Sequence, residues 1–423
     1  MKKLIRIIVL WIIILLLFKM YNQKNNITEY NTLPNNKDIS KVLEVNIIDK
    51  YDNMAKIYEN PMTEQYYEVD LIIDGVYYYN VGIRAKGTTI YYWLEDHDSN
   101  KLSFKVRLNY KDPEQNYEGI TEFHLNSQVM DPTGMREYLI YDLYNAAGID
   151  TQKYCFSELK IDNKSIGLMT MVEVINEKYV EYTYNSKEGN LYKPANQEYK
   201  NVFGAELSYR SDNIEDYRGI FDYVKTENTT DEDKKRLVAV FKKIKEASTP
   251  EEIEECFMDF NKVLKILAIN KVVSNVDGVT GKTMRNYFLY EENGKIDIIP
   301  FDFNFSLGIQ VKEYFFRDED VNDLGLIEYT YENHSFLIDI IMEHETFFNR
   351  YNEYVKDIQK LMDDINLDEK VDILDINIKQ IIQNDTEKFY TYEEYRNGLI
   401  ELKDFMRKRI NQEPNVSIYD IGY

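Results

Sequence analysis

Ser274-Asn-Val-Asp277-Gly-Val-Thr-Gly-Lys-Thr-Met-Arg-Asn286-Tyr-Phe-Leu-Tyr-Glu-Glu-Asn293-Gly294-Lys-Ile-Asp-Ile-Ile-Pro300-Phe-Asp302-Phe-Asn304 joins a helical pattern to a pair of strands. The apolar, helix-spaced run before it ends by Ser274, so Asn275 and Asp277 fall on a loop. Tyr287–Tyr290 and Ile296–Ile299 read as short strands, and Asn293-Gly294 between them is a strong hairpin signal. Pro300 stops the second strand. Paired positions share the sum of the two turn residues, 587, which sets Asn286 opposite Phe301 and diagonal to Asp302. Neighbouring strands lie about 5 Å apart. The Asn286 amide and the Asp302 carboxylate are therefore expected to converge on one ion, with Asp277 facing the same space.

An Asp on a loop, an Asn after it and an Asp following a hairpin is the disposition used for phosphoryl transfer of the protein-kinase type. The first orients the acceptor hydroxyl and the last holds a metal. Hard oxygen donors suit Mg²⁺, with Mn²⁺ as the other choice. The competing reading gives these residues no chemistry: Asp277 caps a turn, and Asp302 satisfies backbone amides at a strand end.

Upstream, Val45–Ile48, Tyr66–Ile73, Val76–Ala85 and Ser103–Leu108 alternate polar and apolar residues as half-buried strands do, with Asp74-Gly75 as a hairpin turn. A helix is expected over Met135–Tyr144, started by Asp131-Pro132 and ended at Gly148. Strands resume over Tyr154–Ile161 and Gly167–Val174. From Asp231 the pattern is helical, over about Asp231–Ala247, Pro250–Ser274, Ser335–Met362, Asp368–Gln383 and Thr391–Asn411. The fold class is α+β: a β-rich N-terminal lobe over 42–200, then an insertion and an α-rich C-terminal lobe over 201–423 that carries the metal site. No internal repeat is present.

Lys2, Lys3 and Arg6 precede an apolar run from Ile7 to Phe18, the form of a secretory signal in residues 1–20. No small-x-small cleavage site follows, so the segment is either a cleaved signal or an uncleaved anchor that places the body outside the membrane. Residues 21–41 are polar and read as a tether. Over 423 residues, 51 Lys and Arg stand against 74 Asp and Glu, a net charge of −23. That balance repels nucleic acid, and no contiguous basic run offsets it. Cys155 and Cys256 form no metal-binding pair and leave open either one disulfide or two buried thiols.

Seven stretches together resemble the spore-coat CotH kinase family, over about residues 42–310. They are Val81-Gly-Ile-Arg-Ala-Lys-Gly87, Leu102-Ser-Phe-Lys-Val-Arg-Leu108, Phe123-His-Leu-Asn-Ser127 with Asp131 and Met135-Arg-Glu137, Gly167-Leu-Met-Thr-Met-Val-Glu173, Asn190-Leu-Tyr-Lys193, Asn275-Val-Asp277 with Asn286-Tyr287, and Pro300-Phe-Asp302. The resemblance implies an atypical kinase-like bilobal fold and ATP as the phosphoryl donor, with Asp277 as the catalytic-loop Asp and Asp302 as the metal ligand beside Asn286. Two positions depart from the family pattern: Phe301 stands where a Trp is expected, and Asn304 where a second Asp is usual. Asp302-Phe303-Asn304 nevertheless reads much like a kinase Asp-Phe-Gly.

The strand period puts Arg84 and Lys86 on one face, and Lys105 and Arg107 on one face, with Phe104, Val106 and Leu108 opposite. Lys105 is the candidate for the ATP phosphates, with Glu137 as its ion-pair partner. Lys86 and Lys193 are further phosphate candidates, and Glu173 a candidate for the adenine edge. The bland alternative is a solvated basic sheet face. No GxGxxG or GxxxxGK[ST] loop is present, so side chains must hold the phosphates. The implied activity is phosphorylation of Ser or Thr in coat or cell-surface proteins, with a basic, Ser-rich polypeptide as the substrate suited to an acidic enzyme. The alternative is a structural coat protein that keeps the fold without catalysis.

Overall fold

The computed structural model describes residues 41–87, 99, 101–195, 204–275, 277–279, 284–308 and 336–413. The signal or anchor segment and the tether lie outside them. Among the described residues no helix is long and apolar enough to cross a membrane.

The first half is a closed seven-stranded barrel. Its strands are β1 (Val42–Ile48), β2 (Tyr67–Ile73), β3 (Val76–Lys86), β4 (Ser103–Arg107), β5 (Glu122–Asn126), β6 (Tyr154–Ile161) and β7 (Lys164–Glu173), arranged β1-β2-β3-β4-β5-β7-β6. Neighbours are antiparallel except β1 and β6, whose parallel pairing from Val42↔Phe156 to Ile47↔Ile161 closes the ring. Period-two alternation fills the interior with Val45, Ile47, Leu71, Ile83, Phe104, Val106, Phe123, Leu125 and Met169, all buried. Closure leaves every strand paired on both sides. Short helix α1 (Asn53–Glu59) packs Met54 and Ile57 into the same core.

Helix α2 (Arg136–Ala146) lies between β5 and β6 in sequence and packs outside the barrel. Its Tyr138 stacks on Phe156 of β6, ring centroids 4.5 Å apart, and Tyr141 stacks on Tyr154 at 4.8 Å. After α3 (Glu177–Tyr184) comes a second, three-stranded sheet of order β10-β9-β8, from β8 (Asn190–Tyr192), β9 (Tyr287–Glu292) and β10 (Lys295–Pro300). The β9–β10 hairpin has the expected register, Pro300↔Tyr287 through Lys295↔Glu292.

The helical body comprises α4 (Arg218–Phe221), α5 (Asp231–Glu246), α6 (Pro250–Glu254), α7 (Phe260–Val272), α8 (Phe336–Glu343), α9 (Glu345–Asp364), α10 (Leu367–Asn384) and α11 (Tyr392–Asn411). Its large apolar core includes the apolar residues of α2 from Tyr138 to Tyr144, together with Tyr154, Phe156, Leu168 and Val172 from the outside of the barrel. The molecule is thus α+β, with two large cores that share the β6–β7 wall. Among the described residues a smaller core that includes Ile175, Tyr179, Leu191, Phe288, Ile299 and Phe301 lies under the second sheet.

Two helix expectations are corrected, and the alternatives left open for the cysteines are resolved. Pro250–Ser274 is two helices, because Met258 N–H donates to Ile296 O at 2.9 Å and docks the break on β10, after which the Asp259 side chain caps α7. Ser335–Met362 is broken at His344, whose backbone is extended. β8 belongs to the sheet with β9 rather than to the barrel, which ends at Glu173. Cys155 and Cys256 are two buried thiols, and burial pushes the Cys155 thiol up to about 12.

The connector between α10 and α11 straps the C-terminus to the barrel. Lys101 Nζ and Asp385 Oδ2 form a buried ion pair at 2.5 Å, with 6% and 3% of their side chains exposed. Ser99 Oγ donates to Glu387 O at 2.7 Å, and Tyr390 Oη to Val129 O at 2.9 Å. Gly167 carries φ +113° and lies so close to the Asp385 carboxylate that a Cβ there would overlap it. Removing one member of a buried pair leaves the other charge uncompensated, at a cost of about 3–5 kcal/mol. Asp385→Ala is expected to lower the stability read from urea unfolding by that amount. The double variant Lys101→Met/Asp385→Leu should recover most of it.

Candidate active site

Where the barrel meets the second sheet, its outer surface is polar. The registers Arg84↔Lys105, Lys105↔His124 and His124↔Val172 run one row of side chains across β3, β4, β5 and β7. Lys86 and Asn126, two residues further along their strands, share that face. The lower end of this row forms a cavity with α2 and the β9–β10 hairpin, lined by Lys86, Asn126, Glu137, Glu173, Lys193 and Asp302 among others.

Glu137, in the first turn of α2, is 1% exposed. Its carboxylate accepts from Asn126 Nδ2 at 3.0 and 2.9 Å and from Gln128 Nε2, while Lys86 Nζ donates to Asn126 Oδ1 at 2.7 Å. Burial first, then the charge of Asp302, raise Glu137 to about 7, with Lys86 and the two amides acting the other way. Two carboxylates lining one cavity favour a cation there.

The expected Glu137–Lys105 pair is therefore replaced. Lys105 pairs with Glu122 at 2.8 Å, and Arg107, whose cross-strand partner is Glu122, shares that carboxylate at 3.2 Å. Lys86, joined to Glu137 through Asn126, occupies the place foreseen for Lys105. Lys193 Nζ sits 4.7 Å from the centroid of the Phe301 ring. Burial, reinforced by Lys86 and opposed by Asp302, lowers its ammonium to about 8. Glu173 receives Tyr182 Oη at 2.6 Å and the Lys153 N–H at 3.2 Å, and burial raises it.

Asp302 is held by its neighbours in sequence. Phe303, fully buried, is flanked by Tyr141 at 4.9 Å and Tyr144 at 5.0 Å, both on α2. Further on, Arg136 Nε donates to Leu307 O at 3.2 Å, and Leu307 N–H to Val273 O at 2.7 Å. The Asp302 segment is thereby tied to α2 on one side and to the end of α7 on the other.

Asp277 follows α7, which ends as Ser274 turns into the left-handed region (φ +52°). Asn270 Oδ1 accepts from both Asn275 Nδ2 and Tyr144 Oη at 3.0 Å, so α2 also braces this loop. Gly278 lies against it, where a Cβ would come within 2.9 Å of Asn275 Nδ2. Asp277 is 4% exposed, and its two oxygens accept separately: Oδ1 from Arg285 Nε and Oδ2 from Asn286 Nδ2, each at 2.9 Å. The hairpin closes with Phe301 N–H donating to Asn286 O at 3.1 Å. Asn286 and Asp302 then leave the ladder with φ +59° and +58°, left-handed positions imposed on non-glycine residues. The structure thus joins Asn286 to Asp277 and puts Asp302 in the cavity with Glu137.

Among the described residues no three His, Cys, Asp or Glu side chains converge as a metal cluster. The donor chemistry fits a hard divalent ion that takes Asp302 with amide and ligand oxygens. Asn304 Oδ1 and Asn275 Oδ1 are buried and accept no hydrogen bond among the described residues.

The sequence reading gave no role to Asn126, Gln128, His124 or Arg285. Asn126 and His124 lie inside the Phe123–Ser127 run, and Arg285 adjoins Asn286, but only the fold says what they face. It also assembles a basic wall from separate strands: burial first, then the charges of Lys86, Lys105, Lys193 and Arg84, hold the His124 imidazole well below its usual range.

The sequence model of the CotH kinase protein family matches residues 83–412, from within β3 to the end of α11. The inner spore coat protein H of Bacillus subtilis (strain 168) is 26% identical over 198 residues, covering 45% of this chain and 51% of that protein. The chain thus spans about half the length of this curated relative. With the family match covering the barrel from the end of β3 onward, the hairpin and the helical body, the chain belongs to the CotH kinase family.

Proposed function

We propose that this chain is an ATP- and Mg²⁺-dependent protein kinase with a kinase-like bilobal architecture, the barrel serving as the first lobe. The observation that carries the reading is the linked set Lys86–Asn126–Glu137 sharing one cavity with Lys193 and Asp302, beside the Asp277–Asn286 pair. Lys86 and Lys193 would hold the phosphates, and Glu173 would lie at the adenine edge. Asp277 would orient a Ser or Thr hydroxyl and take its proton, with Asn286 fixing the carboxylate. Asp302, with amide oxygens, would hold the divalent ion, which supplies neutralisation of charge on the transferring group. Lys105, paired to Glu122, would act on the phosphates only through its field.

The name of the Bacillus relative supports a place in the spore coat, and coat or cell-surface proteins as substrates. The N-terminal segment would carry the body across or onto a membrane. The second reading, a coat constituent without catalysis, is favoured by the ion pair that Asp277 already makes with Arg285.

Incubation of the purified chain with labelled ATP and Mg²⁺ separates the two. Asp302→Asn and Asp277→Asn should each lower phosphoryl transfer by roughly 10²-fold or more, as expected for a lost charge clamp or base. Thermal melting should stay near that of the parent. No transfer by the intact chain would favour the structural reading, and near-normal turnover of either variant would remove that residue from the mechanism.

The net charge of −23 also bears on the acceptor. Cations on the barrel wall would face the polyphosphate, leaving an acidic exterior to meet a basic, Ser-rich chain. Ser peptides flanked by Lys are expected to react faster than those flanked by Glu. The advantage should shrink as salt shortens the screening length to about 10 Å at 0.1 M. Equal rates at low salt would leave the charge without a part in substrate choice.

A further inference from the structure

Arg285, ion-paired to Asp277, is a half-exposed cation with 45% of its side chain open to solvent. Its bond to Asp277 uses only Nε, because the second Asp277 oxygen is taken by Asn286. Among the described residues its two Nη groups make no other hydrogen bond. The same protein shows what an arginine does when its task is to neutralise a buried carboxylate. Arg236 meets the fully buried Glu291 with both edges of its fork, Nε to Oε1 at 2.7 Å and Nη2 to Oε2 at 2.8 Å. A two-bond fork is the stronger and more specific arrangement for a carboxylate. Arg285 leaves that geometry unused, so its two Nη groups are not committed to Asp277.

Its place in the hairpin says what those donors meet. Asn286 and Phe301 are the last bonded pair, so the next residues outward on the two strands are Arg285 and Asp302. Arg285 therefore stands at the hairpin mouth, in contact with Asp277 and at the level of Asp302. A guanidinium there has the charge and planar donor set that suit an oxygen-rich dianion.

We infer that Arg285 is a catalytic residue that binds the γ-phosphoryl group of ATP. This rests on the phosphoryl-transfer reading above. The acceptor oxygen bonds to the γ-phosphorus as the bond from that phosphorus to the β–γ bridging oxygen breaks. ADP leaves with the electron pair, and the acceptor proton passes to Asp277. Arg285 donates to the equatorial oxygens throughout and, by its Nε bond, keeps the Asp277 carboxylate aligned with them.

The test is calorimetric binding of the β,γ-imido analogue of ATP and of ADP, each with Mg²⁺, to the full chain and to Arg285→Ala and Arg285→Lys. A hydrogen bond to a charged group contributes about 1.5–3 kcal/mol, so Arg285→Ala should weaken the analogue roughly 10-fold or more while ADP changes less than about two-fold. Turnover should fall by about 10³-fold, and Arg285→Lys should recover part of both losses. Equal weakening of the two nucleotides would make Arg285 a support for Asp277 and overturn the assignment. Unchanged discrimination in Arg285→Ala, or no preference for the analogue in the parent, overturns it while leaving the kinase reading in place. A parent chain that binds neither nucleotide overturns both.

Discussion

Asp131 sets the position of everything at the junction of barrel and helices. It is 3% exposed, and its carboxylate accepts the Thr133 N–H at 2.9 Å, Thr133 Oγ1 at 2.7 Å and the Arg136 N–H at 2.8 Å, together with Arg136 Nη1. Those bonds begin α2, a helix buried along nearly its whole length. A buried charge must be paired where it lies, so each polar group on such a helix dictates a neighbour. Glu137 requires Asn126 and Gln128 from the barrel rim. Asp142 requires Lys370 of α10 at 2.6 Å together with Tyr154 Oη. Tyr144 reaches Asn270, and Arg136 reaches Leu307. Such pairs add little net stability, yet mispairing them is costly, and this fixes one relative placement of the barrel, the Asp277 loop and the Asp302 segment.

The charge distribution follows from the same placement. Acidic residues dominate the chain, while the wall of the cavity gathers Arg84, Lys86, Lys105 and Lys193, with Lys225 nearby. Burial and mutual repulsion depress Lys193 and Lys225 alike. An anion entering there would relieve both, and the left-handed backbone at Asn286 and Asp302 keeps the opposing oxygens in position.

What the sequence disclosed was local. The 287–300 hairpin was legible because Asn293-Gly294 and a period of two specify turn and register together. Helix α2 was legible from its apolar spacing and Gly148. It starts at Arg136 rather than at the expected Asp131-Pro132 cap, because Asp131 folds a turn over Thr133 and receives the Arg136 N–H from outside the helix. The Glu122–Lys105 pair was not legible, since it depends on which strand lies beside β4, and that is set by barrel closure. Nor was the break near Asp259, because the docking of Met258 on Ile296 is a contact between distant segments. Barrel closure itself needs β1 beside β6, more than a hundred positions away, with no turn to announce it. Short elements such as α1 and α3 lacked a periodic signal long enough to stand out.

The Lys101–Asp385 pair bears on the order in which the protein comes into being. During synthesis the seven barrel strands are complete once Glu173 has emerged, yet the Lys101 ammonium then has its buried niche and no counterion. The counterion arrives more than two hundred residues later, followed by α11. A nascent barrel therefore carries an uncompensated buried cation until the Asp385 connector has been made. The barrel is thus locked by a segment from far along the chain, so its consolidation and that of the helical body are one event.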